Sequence, residues 1–253
     1  MSDDYDVRRL LENWPYDPDK NIRVLRGRDG RELLQVRLPL GLEQYELDGR
    51  PDAARPHGEE SALHHHCARL AAAQAAGATS TFELSAEECE ELFNEGALYY
   101  YRYLHCFQLR DWPRVVRDTG RNLKLFDFVH RYAEREEDQE YLEKWRPYLV
   151  RMNAAARALQ ELGQHNHVRA LEIAREAVTQ IEALEEQDEE TFKYERQRSM
   201  AALRELIAQI ERLKPVSKQE QMEKALRQAI NAQEFERAAV LRDELRALRR
   251  PTQ

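Results

Sequence analysis

No run of about eighteen apolar residues occurs anywhere in the 253 residues, so the sequence predicts no membrane-spanning helix. Cysteine is scarce: Cys67, Cys89 and Cys106 are odd in number and far apart, which argues against a disulfide framework. The amino terminus places acids ahead of any apolar run, so no export signal is expected, and reduced thiols in a cytoplasmic protein follow. The nucleotide-binding pattern GxxxxGK[ST], the nucleophile elbow GxSxG, the zinc pattern HExxH and paired CxxC knuckles are all missing. An excess of basic charge is missing too. The net charge is −8, whereas duplex-DNA binding calls for a concentrated positive face. Glycine is confined to the first two thirds: all nine lie at or before Gly163. That shift separates an amino-terminal part that turns often from a long helical remainder.

The amino-terminal part opens on strong local signals. Residues 5–14 carry Val7, Leu10, Leu11 and Trp14 at helical spacing, and Pro15 and Pro18 end that helix. Two strand-like runs flank Asp29-Gly30, a hairpin-turn dipeptide, and residues 41–47 add a third strand. The reading is a small antiparallel β-meander over roughly 21–50, with the helices at 5–14 and 60–76 as its nearest covers. Ser85-Ala-Glu-Glu88 has the capping-box form and starts a helix to about Gln108, apolar or aromatic on most sides. Further helices are expected from Trp112 to Ala133 and over 138–162, 166–185 and 188–213, with Pro215 breaking the chain before a last helical pair. The expected domains are 1–58, 59–214 and 215–253.

Residues 220–250 hold the densest signal. Met222, Ala225, Leu226, Ala229 and Ile230 form one apolar stripe. Asn231 to Glu234 interrupts it. Ala238, Leu241, Leu245 and Leu248 resume it at spacings of three and four, as in a coiled-coil seam, with Phe235 at the corner. Two helices of this size bury too little by themselves. The stripe therefore has three available covers: the rest of the chain, a second copy, or another protein.

This stretch resembles the UVR motif, the helical hairpin at the carboxyl end of UvrB and in the middle of UvrC. Leu226, Ile230, Phe235, Ala238, Ala239, Leu241, Arg242, Asp243 and Leu245 carry the likeness. The resemblance implies protein docking and a bacterial origin, with Phe235, Ala238, Ala239, Leu241, Arg242 and Leu245 as the binding residues. The helicase core of UvrB and the nuclease site of UvrC have no counterpart here. A weaker regularity runs upstream: Asp111-Trp112, Asn166-His167 and Glu234-Phe235 each place a ring after a polar residue, with an apolar pair three and four residues on. This is similar to the start of the second helix of a tetratricopeptide hairpin, where the ring plugs the corner. The rings lie 55 and 68 residues apart (112 to 167, 167 to 235), so no regular solenoid is implied.

The expected fold is thus mainly α, a tetratricopeptide-like array of helical hairpins with a small amino-terminal β-meander. The expected function is a non-enzymatic adaptor without cofactor or bound metal, docking another protein or a second copy through the last hairpin. Two readings stand against it. Arg242, Arg246, Arg249 and Arg250 would contact phosphate in a nucleic-acid-associated repair or regulatory factor, although interspersed acids make a solvated face the simpler account. His64-His65-His66-Cys67, with Cys106 and Tyr99, Tyr100, Tyr101 and Tyr103, would belong to an unrecognised enzyme or metal site. Three consecutive histidines point three ways around a helix, and a buried thiol with core tyrosines is the plainer expectation.

Overall fold

A computed structural model describes residues 7–77, 82–213 and 218–248. Pro215, Arg249 and Arg250, four of the five residues of the break at 77–81, and the side chain of Leu248 lie outside the described residues. The chain divides into two compact units, Met1–Ala208 and Gln209–Gln253. Among the described residues the fold is mainly α, with one three-stranded antiparallel sheet near the amino terminus.

The sheet runs β1 (Ile22–Arg26), β2 (Glu32–Leu38) and β3 (Gly41–Glu46) in that spatial order. Gly30 takes φ +85°, a left-handed position open to glycine, and the Asp29 carboxylate accepts the Arg31 amide at 3.1 Å. The pleat then sends Leu34 and Val36 of β2, with Tyr45 and Leu47, into one buried core. The helix read over 5–14 forms as α1 (Arg8–Asn13) but buries no residue. Trp14, the next residue, is tied to the sheet: its carbonyl accepts from Arg37 of β2 at 2.8 Å, and the Arg23 guanidinium of β1 lies 3.9 Å from its ring centre. The core face of the sheet instead shares one apolar cluster with α2 (Ala62–Ala75), α3 (Ala86–Gln108) and α4 (Trp112–Tyr132). Arg114 of α4 reaches Glu32 at 2.7 Å and Arg117 reaches the Leu47 carbonyl at 2.7 Å, so polar bonds frame the apolar contact.

α3 begins with the capping box read at Ser85: the Ser85 hydroxyl accepts the Glu88 amide and the Glu88 carboxylate accepts the Ser85 amide. Its buried positions, Cys89, Leu92, Gly96, Tyr99, Tyr103 and Cys106, recur at three and four and make one stripe, while Tyr100 and Tyr101 are exposed. The helix is therefore amphipathic, not apolar on most sides. Within the stripe lies Glu95, fully buried, whose carboxylate accepts the amides of Ala62 and Leu63 at 2.7 and 3.1 Å and so caps the start of α2.

The single helix expected over 138–162 is broken. α5 (Glu136–Tyr141) ends in a 3-10 turn at Glu143–Trp145, and α6 (Arg146–Gly163) starts with Pro147 in its first turn. Proline lacks the N–H of an interior position and its ring clashes with the preceding turn, but it fits the first turn of a new helix. α7 (His167–Glu182) and α8 (Glu190–Leu213) follow. Within the first unit α3 packs on α4, α4 on α6 and α6 on α7. The open end of the α3–α4 pair is tied by a parallel bridge: the Leu84 amide donates to the Tyr132 carbonyl at 2.7 Å and the Glu134 amide to the Leu84 carbonyl at 3.1 Å.

The three recurring corners share one backbone geometry. Arg110, His165 and Gln233 stand at φ 58°, 61° and 60°. The next amides, of Asp111, Asn166 and Glu234, each bond a carbonyl five residues back, those of Cys106, Glu161 and Ala229, each at 2.9 Å. This is the Schellman helix end, which satisfies carbonyls left over at a helix terminus.

Candidate functional site

The second unit holds α9 (Lys218–Asn231) and α10 (Phe235–Leu248), which pack along each other. The Schellman end at Gln233 turns the chain, and Ala238 resumes the helix by donating its amide to the Glu234 carbonyl at 2.9 Å. Ala229, Ala238 and Leu245 are buried. Ala238 and Leu245 are seven residues apart, one heptad, so they lie on one face of α10. The two alanines present little side chain and let the helix backbones approach near the corner, while Leu245 fills the space further along.

The other candidate residues are distributed by that packing. Ala239 and Leu241 are half-buried. Arg242 is exposed, its Nε 3.4 Å from the carboxylate of Asp243, and Arg237 pairs with Glu234 at 3.0 Å. The described arginines of α10 thus sit among acids on a solvated face. Phe235 corrects one expectation. It is the first residue of α10, yet it does not plug the corner: 70% of it is exposed. Trp112, at the equivalent place in the first corner, is half-buried with its ring edge-on to Phe107, centroids 5.2 Å apart. Ile230 on the other side of the same turn is 52% exposed. A large aromatic and a β-branched residue therefore flank the tip of the hairpin in contact with solvent.

Residues 217–250 match the family model of the UvrB/uvrC motif. The terminal hairpin is similar to the UVR motif over these residues. No curated protein matches the chain, and no solved structure does. The UVR hairpin points to a protein-interaction or DNA-repair-related module. Among the described residues, no helix is long and apolar enough to cross a membrane.

The residues weighed for chemistry lie in the first unit. His64 is exposed and faces Glu59 at 3.0 Å, and Cys67 is exposed on the same helix. Cys89 and Cys106 are buried, and burial pushes each thiol up to about 12, which keeps them protonated and unreactive. Among the described residues, neither His64 nor any cysteine belongs to a converging set of ligand atoms. Among the described residues that arrangement belongs to His57, His66 and Glu91. His57 and Glu91 carry no sequence signal: they stand 9 and 25 positions from His66, on different elements. Of the tyrosines, Tyr99 and Tyr103 are buried, while Tyr100 and Tyr103 line a cleft of about 570 Å³ with Tyr141, Trp145, Tyr148 and Glu195.

Proposed function

We propose that this chain is a non-enzymatic adaptor: a body of stacked, tetratricopeptide-like helical hairpins that carries a UVR hairpin for docking another protein. The exposed Phe235 at the tip of the hairpin is the observation that supports this most directly. A side chain of that size left mostly in water adds little to the packing of its own helix pair, and aromatic anchors of this kind become binding hot spots once a partner desolvates them. Ala239 and Arg242, one and two turns on, continue the face of Phe235, while Ala238 and Leu245 are the buried seam and Leu241 borders that seam on its other side. Truncating such an anchor costs about 2 kcal/mol or more, roughly a thirtyfold loss of affinity.

The test compares the intact chain with Phe235→Glu. Light scattering gives the solution mass, a thermal melt gives the fold, and affinity capture from cells that express the chain gives the partner. Equal melts, with one binding protein or a self-association present in the wild type and absent in the variant, support the adaptor. A melt several degrees lower makes Phe235 part of the chain's own core. An identical set of bound proteins removes the docking role from this residue.

A further inference from the structure

His57, His66 and Glu91 come from three elements and meet at one point. His57 lies in the 3-10 turn Pro56–Gly58 at φ 54°, ψ 18°, a left-handed conformation that costs a non-glycine residue energy. Its ring stacks on His65, centroids 4.1 Å apart, and its Nε2 stands 3.1 and 3.2 Å from the two oxygens of Glu91. His66, on α2, is 2% exposed and turns its Nε2 to the same carboxylate at 3.3 Å. One ligand atom from each residue lies within 4.8 Å of both others. In tetrahedral zinc coordination, bonds of about 2.0–2.2 Å put neighbouring ligand atoms roughly 3.3 Å apart. The carboxylate–imidazole spacings already have that value.

We propose that His57, His66 and Glu91 form a binding site for a divalent transition-metal ion of the zinc class, with water as the outer ligand. Two imidazoles and one carboxylate suit zinc, cobalt, nickel or iron, whereas calcium and magnesium prefer oxygen alone. The His57 and Glu91 side chains are partly exposed, so the site opens to solvent on one side while His66 closes the other. The second layer sets the affinity. Nη1 of Arg69 lies 2.9 Å from Nδ1 of His66 and also bonds Glu88. In that state His66 accepts at Nδ1 and donates its Nε2 proton to Glu91. A metal on Nε2 requires the proton at Nδ1, donating outward. Arg69 then has to swing away, and Glu88, already beside it, takes the new N–H. The guanidinium on Nδ1 therefore opposes a metal on Nε2.

The test is a titration of the metal-free full-length chain with Co²⁺, whose visible absorption reports coordination number, followed by Zn²⁺ competition and a thermal melt. One Co²⁺ per chain in a low-coordinate spectrum, with a melt raised by a few degrees and restored by chelator, is the expected result. Glu91→Gln and His57→Ala, the second on an exposed turn that the fold tolerates, each weaken binding about tenfold or more. Arg69→Ala strengthens it, an effect that metal bound adventitiously along the exposed histidines does not produce. His64→Ala leaves it unchanged. A Kd weaker than about 0.1 mM, binding indifferent to both Glu91→Gln and His57→Ala, or binding lost with His64→Ala overturns the proposal.

Discussion

Arg102 and Asp118 meet in a two-pronged ion pair that is almost sealed from water. Nε and Nη2 of Arg102 reach the two carboxylate oxygens at 2.7 and 2.8 Å, and each side chain is 1% exposed. Nη1 of the same guanidinium donates to the carbonyls of Glu46 and Gly49, each at 2.8 Å, and Arg117 adds a third donor to Asp118 at 2.8 Å. One side chain thus joins α3, α4 and the turn after β3. A buried pair stabilises only when its remaining donors and acceptors are satisfied, and here every guanidinium nitrogen and both carboxylate oxygens have a partner.

Removing one partner should therefore be severe. Arg102→Met leaves Asp118 buried with one cation and strands two carbonyls, and we expect a loss of about 3–5 kcal/mol in urea unfolding. The double variant Arg102→Met/Asp118→Leu should regain part of that. A single variant within about 1 kcal/mol of wild type would show that the pair is not buried in solution.

The Schellman corners predict a gain. His165 occupies the left-handed position at φ 61°, where a Cβ costs about 1 kcal/mol. His165→Gly should raise stability by about 0.5–1 kcal/mol, visible as a melt a few degrees higher. A lower melt would mean that the corner does not hold this geometry.

Acid should weaken the fold through His105. Burial holds this ring below the ordinary imidazole value of 6.5, against the smaller upward pull of Glu43. Its Nδ1 has no hydrogen-bond partner among the described residues. The unfolded chain takes the proton first, so stability is complete above about pH 6.5 and is lost as pH falls through the folded-state value. His105→Gln should flatten the dependence of unfolding free energy on pH between about 5 and 7. An unchanged slope would assign the acid sensitivity elsewhere.

The UVR hairpin predicts a contrast between two of its residues. Leu245 is buried, so Leu245→Ala should cost about 2 kcal/mol or more. Phe235 is mostly in water, so Phe235→Ala should stay within about 0.5 kcal/mol of wild type. The two variants together separate the residues that build the hairpin from the residue free to meet a partner. Equal losses would place Phe235 in the chain's own core.

Local rules made much of this fold legible. Ser85 and Glu88 announce a helix start, Asp29-Gly30 a hairpin, and the rings at 112, 167 and 235 a corner, because each depends on residues a few positions apart. The misreadings have equally local causes. Pro147 breaks the helix that periodicity alone predicts over 138–162, and a period shows spacing, not what lies opposite, so it does not tell that the Phe235 ring stays in water. The convergent pairs were not legible at all. Arg102 finds Asp118 only once α3 lies against α4, and Glu91 joins His57 to His66 only once a turn, α2 and α3 are assembled. In each case a charged residue on a helix reads as solvated until the neighbouring element is known. The UVR hairpin was readable because its pattern is contained in about thirty residues; which of its side chains stay in water was not.

The bridge at Leu84 and Ala133 gives the α3–α4 pair a clasp at the end opposite its corner. A helix pair normally frays where it is open, and its first and last amides exchange with solvent long before the middle does. Here the amides of Leu84 and Glu134 are donors in the clasp itself. In heavy water they should be among the last to take up deuterium, surviving to the slowest class. The edge of this pair would then keep time with its centre.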